Sequence, residues 1–343
     1  MEKRDPVMLN RTVTAGIMAI LLNGCGAFTQ PSEVVLVREP GNRAYSDPVL
    51  ISHSAKDLWQ YAALSANVYL RAEQAAAAAV GKQMAPPPSD EAYATECLGD
   101  AVRLPLEAWE RWDNFPTPES KEGWARDLGL NVEVWQTKTR PRIVAVVFEG
   151  TNFTSLPDWR ANLRWFLRFV PGYKDQYIAV ASEVGAQFGE ELAKRIVADG
   201  GANELRLIAT GHSLGGGLAQ HFAYSLRTEM PNKQSIPRVS RVYVFDPSPV
   251  TGWFSVPKEL REHNAEGLVI DRIFEHGEIL AYIRLIQSYV MPPSAKNPAV
   301  REIRYNFIRT LNPIRSHSMY QLACDLMHAA TGSTGSAHAL SNQ

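Results

Sequence analysis

Residues 205–226 read LRLIATGHSLGGGLAQHFAYSL, and this stretch decides the fold. Leu205–Thr210 is a short apolar run of the kind buried on both faces of a sheet, and Leu218–Leu226 continues as a helix. Gly211–Gly217 makes a tight glycine-rich turn between them, and Gly211-His212-Ser213-Leu214-Gly215 fits the G-x-S-x-G pattern. A sharp strand-to-helix turn lifts one hydroxyl above the sheet edge. A serine hydroxyl is a weak nucleophile and must come within reach of an imidazole base. The residues beside it must be glycine, because the turn strains the backbone and a Cβ would meet neighbouring main chain. The helix that follows points its positive end at the place where negative charge forms. A phosphate-binding reading of the turn fails, because no Gly-Lys-Ser/Thr follows and G-x-G-x-x-G is absent there.

Working outward, Leu130–Gln136 alternates like a half-buried strand, and Arg142–Phe148 (RIVAVVF) is a continuous apolar run. Asp175–Asp199 reads as one long amphipathic helix ended by Gly200-Gly201. Val239–Phe245 and Leu268–Phe274 are two more strands. Strands alternating with helices predict an α/β fold, with a mostly parallel central sheet and helices on both faces. Ahead of this core, Ser54–Asp57 opens a helix carrying Leu58, Tyr61, Leu64 and Tyr69, and the Ala75–Ala79 run extends it. Pro86-Pro87-Pro88 stops any helix. Residues 85–123 read as a Pro-rich insertion decorating the core, residues 25–53 as a tether or surface arm, 54–330 as the folded domain, and 331–343 as a flexible tail.

Several blocks then resemble the fungal-type (class 3) lipase family. They are Leu64-Ser65-Ala66-Asn67-Val68-Tyr69, Phe148-Glu149-Gly150-Thr151, Asp158-Trp159, the full GHSLGG of 211–216, and Ser316-His317-Ser318-Met319-Tyr320. Glu149 departs from the Arg usual in that family. The resemblance implies an α/β-hydrolase fold and a serine carboxyl-ester hydrolase acting on lipid esters, with no cofactor and no metal. It implies Ser213 as nucleophile and His317 as base. Thr151 and Leu214 would supply the oxyanion-hole donors, where each preorganised donor is worth about 10²–10³ in rate. Two acids stay open. Glu278 aligns with the family's aspartate, and Asp246 ends the preceding strand; either would hold the imidazole tautomer. Phe153, Leu156, Trp159, Trp165, Phe166, Leu167 and Phe169 lie where that family carries a lid, and they also suit a buried amphipathic helix. His328 is the reserve base. A non-catalytic envelope protein retaining the fold and a lipid acyltransferase with the same triad are the competing readings.

The formal net charge of −1 over 343 residues gives no electrostatic case for nucleic acid. Lys3, Arg4 and Arg11 precede an apolar run from Val13 to Leu22, too short to span a membrane of about 20 helical residues and suited to a signal-peptide core. Leu22-Asn23-Gly24-Cys25 resembles a bacterial lipobox. Residues 1–24 are thus expected to be a signal peptide and Cys25 a lipidated anchor. Gly26 favours the outer membrane, facing the periplasm. Of the other cysteines, Cys97 and Cys324 could pair in an oxidising compartment, but two separate buried thiols are the expectation. Nothing in the sequence speaks to oligomeric state.

Overall fold

The computed structural model describes residues 31–41, 43–79, 97, 107–150, 174–201, 205–231, 233–280, 292–310 and 312–332. In chain order the main elements are β1 (Val35–Glu39), β2 (Arg43–Tyr45), α1 (Pro48–Ala79), β3 (Trp109–Arg111), β4 (Val132–Thr137), β5 (Ile143–Phe148), α2 (Lys174–Ala179), α3 (Gly185–Ala198), β6 (Arg206–His212), α4 (Leu214–Ser225), β7 (Val239–Phe245), α5 (Lys258–Ala265), β8 (Val269–Glu275), β9 (Ala299–Tyr305) and α6 (Met319–Thr331). One nine-stranded sheet runs β2-β1-β9-β8-β7-β6-β5-β4-β3. β5 through β9 pair in parallel, and β1 to β4 add antiparallel strands at the two edges. This is the α/β-hydrolase fold.

The parallel strands are laid down in sequence order, so right-handed crossovers bring their helices to one face. The side-chain alternation agrees. Val144, Val146, Phe148, Leu207, Ala209, Val242, Val244 and Ile270 pack in one core with α3 and α4 residues such as Phe188, Leu192, Leu218 and Phe222. Ala145, Val147, Ile208, Tyr243, Phe245, Ile273 and Ile303 face a second core built with α1 and α6, through Leu58, Leu64, Leu322 and Leu326. Each fully buried aliphatic or aromatic side chain contributes about 1.5–3 kcal/mol. The two cores hold the carboxyl ends of the parallel strands, where the site lies, in fixed register.

Several expectations are corrected. The supposed tether contains β1, which pairs with β9 and buries Val35 and Val37. The supposed decoration contributes an edge strand, β3, and buries Trp109, Trp112 and Phe115 in the cores. β4 is buried along both faces from Val132 to Gln136, because its polar residues have partners. Glu133 meets Arg111 at 3.4 Å and takes the Trp135 indole N–H at 3.0 Å, while Gln136 takes that of Trp112 at 3.2 Å. The helix expected over 175–199 is interrupted by a π-turn at Val180–Val184. β9 is an additional strand. Cys97 and Cys324 form a disulfide, since folding brings their Cα atoms to 5.9 Å. Among the described residues, no helix is long and apolar enough to cross a membrane.

Candidate active site

β6 runs straight into Ser213, and α4 begins at Leu214. Ser213 sits at φ +56°, ψ −123°, a region costing about 1–3 kcal/mol for a residue with a Cβ. Three backbone bonds hold it there. Its N–H donates to the Phe245 carbonyl at 2.9 Å, and its carbonyl accepts the N–H groups of Gly216 at 3.1 Å and Ser248 at 2.8 Å. Gly215 is required at its position, because a Cβ would strike the Phe148 carbonyl and stand 2.8 Å from the Glu149 carbonyl carbon. Leu214, as the first residue of α4, has an N–H with no intrahelical acceptor.

His317 closes a single 3-10 turn, Arg315–His317, just before α6. Asn312 shapes the approach: its side-chain oxygen accepts the N–H groups of Ile314 at 3.1 Å and Arg315 at 3.3 Å. Ser318 then caps α6 by accepting the Gln321 N–H at 3.3 Å. Glu278 lies three residues beyond β8. Its Oε2 accepts the Leu280 N–H at 2.8 Å and stands 2.7 Å from His317 Nδ1, with both side chains buried. A proton on Nδ1 bonded to that carboxylate turns the Nε2 lone pair to the opposite side of the ring.

Asp246, the rival acid, lies in the same buried cluster. It is fully buried at φ +41°, its Oδ1 accepts the Glu275 N–H at 3.0 Å, and its Oδ2 stands 3.9 Å from His212 Nε2. The His212 and His317 rings stand 4.6 Å apart. Ligand atoms of His212, Asp246 and His317 lie within 4.8 Å of one another, a spacing that would also admit a metal ion. His328, the reserve base, lies further along α6 against the disulfide, 3.5 Å from Cys97 Sγ, and burial lowers its pKa. The sulfur atoms of a second dense group, Cys97, Cys324 and His328, are spent on that disulfide.

Thr151, the residues 153–169 expected to form a lid, and Cys25 lie outside the described residues. The sequence reading put the Ser213 hydroxyl in the open, whereas Ser213 is 1% exposed. The large groove of about 1030 Å³ beside α4 is lined by Tyr177, Ile178, His221, Met230 and Leu260 and touches none of Ser213, Glu278 and His317. Sequence reasoning assigned no role to three groups around the site. Glu149 takes the Asn131 side-chain amide at 2.8 Å, a bond available to the carboxylate that replaces the family's Arg. Glu275 Oε1 accepts the Ile308 N–H at 3.0 Å, and burial pushes its pKa up to about 8. Tyr69 joins His212 to Gly150.

The class 3 lipase family model matches residues 145–277. That segment carries Ser213, Leu214 and Asp246; Glu278 falls one residue beyond it, and His317 lies well outside. Among solved structures, the chain is similar to a fungal lipase–inhibitor complex described as a model for interfacial activation in lipases. The identity is 17%, the match covers 65% of this chain and 71% of that one, and the TM-score is 0.35. No curated protein matches the sequence.

Proposed function

We propose that this chain is a serine carboxyl-ester hydrolase acting on lipid esters. One observation carries the reading: a buried His317–Glu278 pair, 2.7 Å apart, on the loops beside a serine held at positive φ between a strand and a helix. The lipid preference draws on the class 3 lipase match over residues 145–277. The Ser213 Oγ attacks the ester carbonyl while its proton passes to His317 Nε2. Glu278 fixes the ring tautomer and steadies the imidazolium. The tetrahedral oxyanion is met by the Leu214 N–H at the positive end of α4, and by Thr151. Collapse expels the alcohol, which takes the proton from His317. Water activated by the same imidazole then releases the acid and restores Ser213.

Cys25 is proposed as the lipidated anchor that holds the enzyme on the periplasmic side of the outer membrane; its support is the order of basic start, apolar run and Gly-Cys in residues 3–25. The decisive experiment on the activity is fluorophosphonate labelling together with p-nitrophenyl ester hydrolysis. The wild-type chain should label and turn over, while Ser213→Ala should do neither and keep its circular dichroism spectrum. Turnover that survives Ser213→Ala refutes the assignment, and products appearing on an added alcohol rather than water would make the chain an acyltransferase.

A further inference from the structure

Groups from three separate elements meet at one phenol oxygen. Tyr69, on α1, accepts the Gly150 N–H at 3.0 Å and lies 2.9 Å from His212 Nδ1 and 3.5 Å from the His212 carbonyl. Gly150 stands two residues past the end of β5; His212 ends β6 and precedes Ser213. Burial, foremost, raises the phenol pKa well above 10, so the hydroxyl keeps its proton. With one lone pair taken by Gly150, two acceptors stand open to that proton, the His212 carbonyl at 3.5 Å and His212 Nδ1 at 2.9 Å. Donation to Nδ1 places the ring's own proton on Nε2, the nitrogen 3.9 Å from Asp246 Oδ2. The ring stands edge-on against Tyr69, with centroids 5.7 Å apart, and the His317 ring lies 4.6 Å away.

Space at this junction is closed. A Cβ on Gly150 would run into the Tyr69 hydroxyl and the His212 carbonyl and stand 3.1 Å from Ser213 Cβ. The backbone leaving β5 therefore passes in van der Waals contact with the elbow, and no side chain separates them.

We propose that Tyr69 is a positioning residue of the site: its hydroxyl pins the backbone after β5 to the Ser213 elbow and sets the His212 ring against His317. This rests on the esterase reading of Ser213 and His317. The hydroxyl touches no reacting atom. It acts on catalysis by holding two strand ends in the spacing that a tetrahedral intermediate needs, where errors of about 1 Å cost about 10²-fold in rate.

Tyr69→Phe keeps the ring and its edge contact and removes only the oxygen. With active sites counted by fluorophosphonate titration, kcat on p-nitrophenyl butyrate is expected to fall about 10- to 100-fold while KM stays within about twofold. A merely structural tyrosine would lower the titrated fraction and leave kcat per site unchanged, and that result overturns the proposal. Should Tyr69→Phe fail to fold, the ¹⁵N shifts of His212 in the wild-type chain decide the matter. A bare Nδ1 with a protonated Nε2 is expected, and the opposite tautomer overturns it. A wild-type chain that takes up no fluorophosphonate instead removes the esterase reading and this inference together, so the two failures are told apart.

Discussion

Glu275→Gln should stabilise the protein at neutral pH and leave it unchanged, or slightly weakened, in acid. Glu275 is fully buried at the end of β8, and its pKa rises from 4.5 to about 8, with desolvation the largest cause and Asp325 adding repulsion. The native state therefore keeps a proton that the unfolded chain releases above pH 4.5. A carboxyl with a raised native pKa lowers stability as pH climbs between the two values, here from 4.5 to about 8. At pH 7 the accumulated cost is about 3 kcal/mol, from 1.36 kcal/mol per pKa unit over about two and a half units. Glutamine removes that cost and retains an oxygen for the Ile308 N–H. Its extra buried donor costs about 1 kcal/mol, an offset that does not change with pH. Urea unfolding of both chains at pH 4.5, 6, 7 and 8 reads the difference. A gap between them that grows by about 4 kcal/mol across the range is expected. A gap that stays flat means Glu275 is ionised in the native state, and the reasoning is wrong.

Glu278→Gln should lower kcat by about 10³–10⁴, because it breaks the bond to His317 Nδ1, whereas Asp246→Asn should cost under about tenfold; the reverse order would make Asp246 the acid. Reducing the Cys97–Cys324 disulfide, whose cysteines stand 227 residues apart, should lower unfolding free energy by up to about 5 kcal/mol, read as a drop in urea midpoint with dithiothreitol. An unchanged midpoint would show that the bond constrains nothing in the unfolded chain. Cys25→Ser should abolish incorporation of radiolabelled palmitate and shift the protein from the membrane to the soluble fraction; label retained on the variant refutes Cys25 as the anchor.

The elbow was legible because chemistry fixes its letters: a strand, two flanking glycines, a serine and a helix leave few other readings. His317 was singled out by its late place in the chain, and the structure sets its ring beside Glu278 and His212. The choice between Glu278 and Asp246 was not, because both follow parallel strands and both come near His317: Glu278 stands 2.7 Å from its Nδ1, and Asp246 has an oxygen within 4.8 Å of a ring nitrogen. β9 hid behind its charges. Arg301, Glu302 and Arg304 look like a solvated segment, but Arg301 pairs with Asp271 at 2.7 Å, Glu302 lies 3.9 Å from Arg272, and Arg304 meets Glu33 at 2.8 Å. β1 hid for another reason. Its partner β9 lies more than 250 residues away, so no local pattern marks it. The disulfide and the Tyr69 junction likewise exist only once distant segments meet.

The pairing of β1 with β9, and the packing of α1 against α6, tie the two ends of the domain together. During synthesis, residues 35–39 have no native neighbour in the sheet except β2 until residues 299–305 emerge, and α1 waits longer still for its helical partner. The ribosome thus releases a chain whose opening segment is the last to be seated, and His317 arrives at the same late moment. A nascent fragment ending before residue 299 would lack both β9 and the His317 ring that stands against His212.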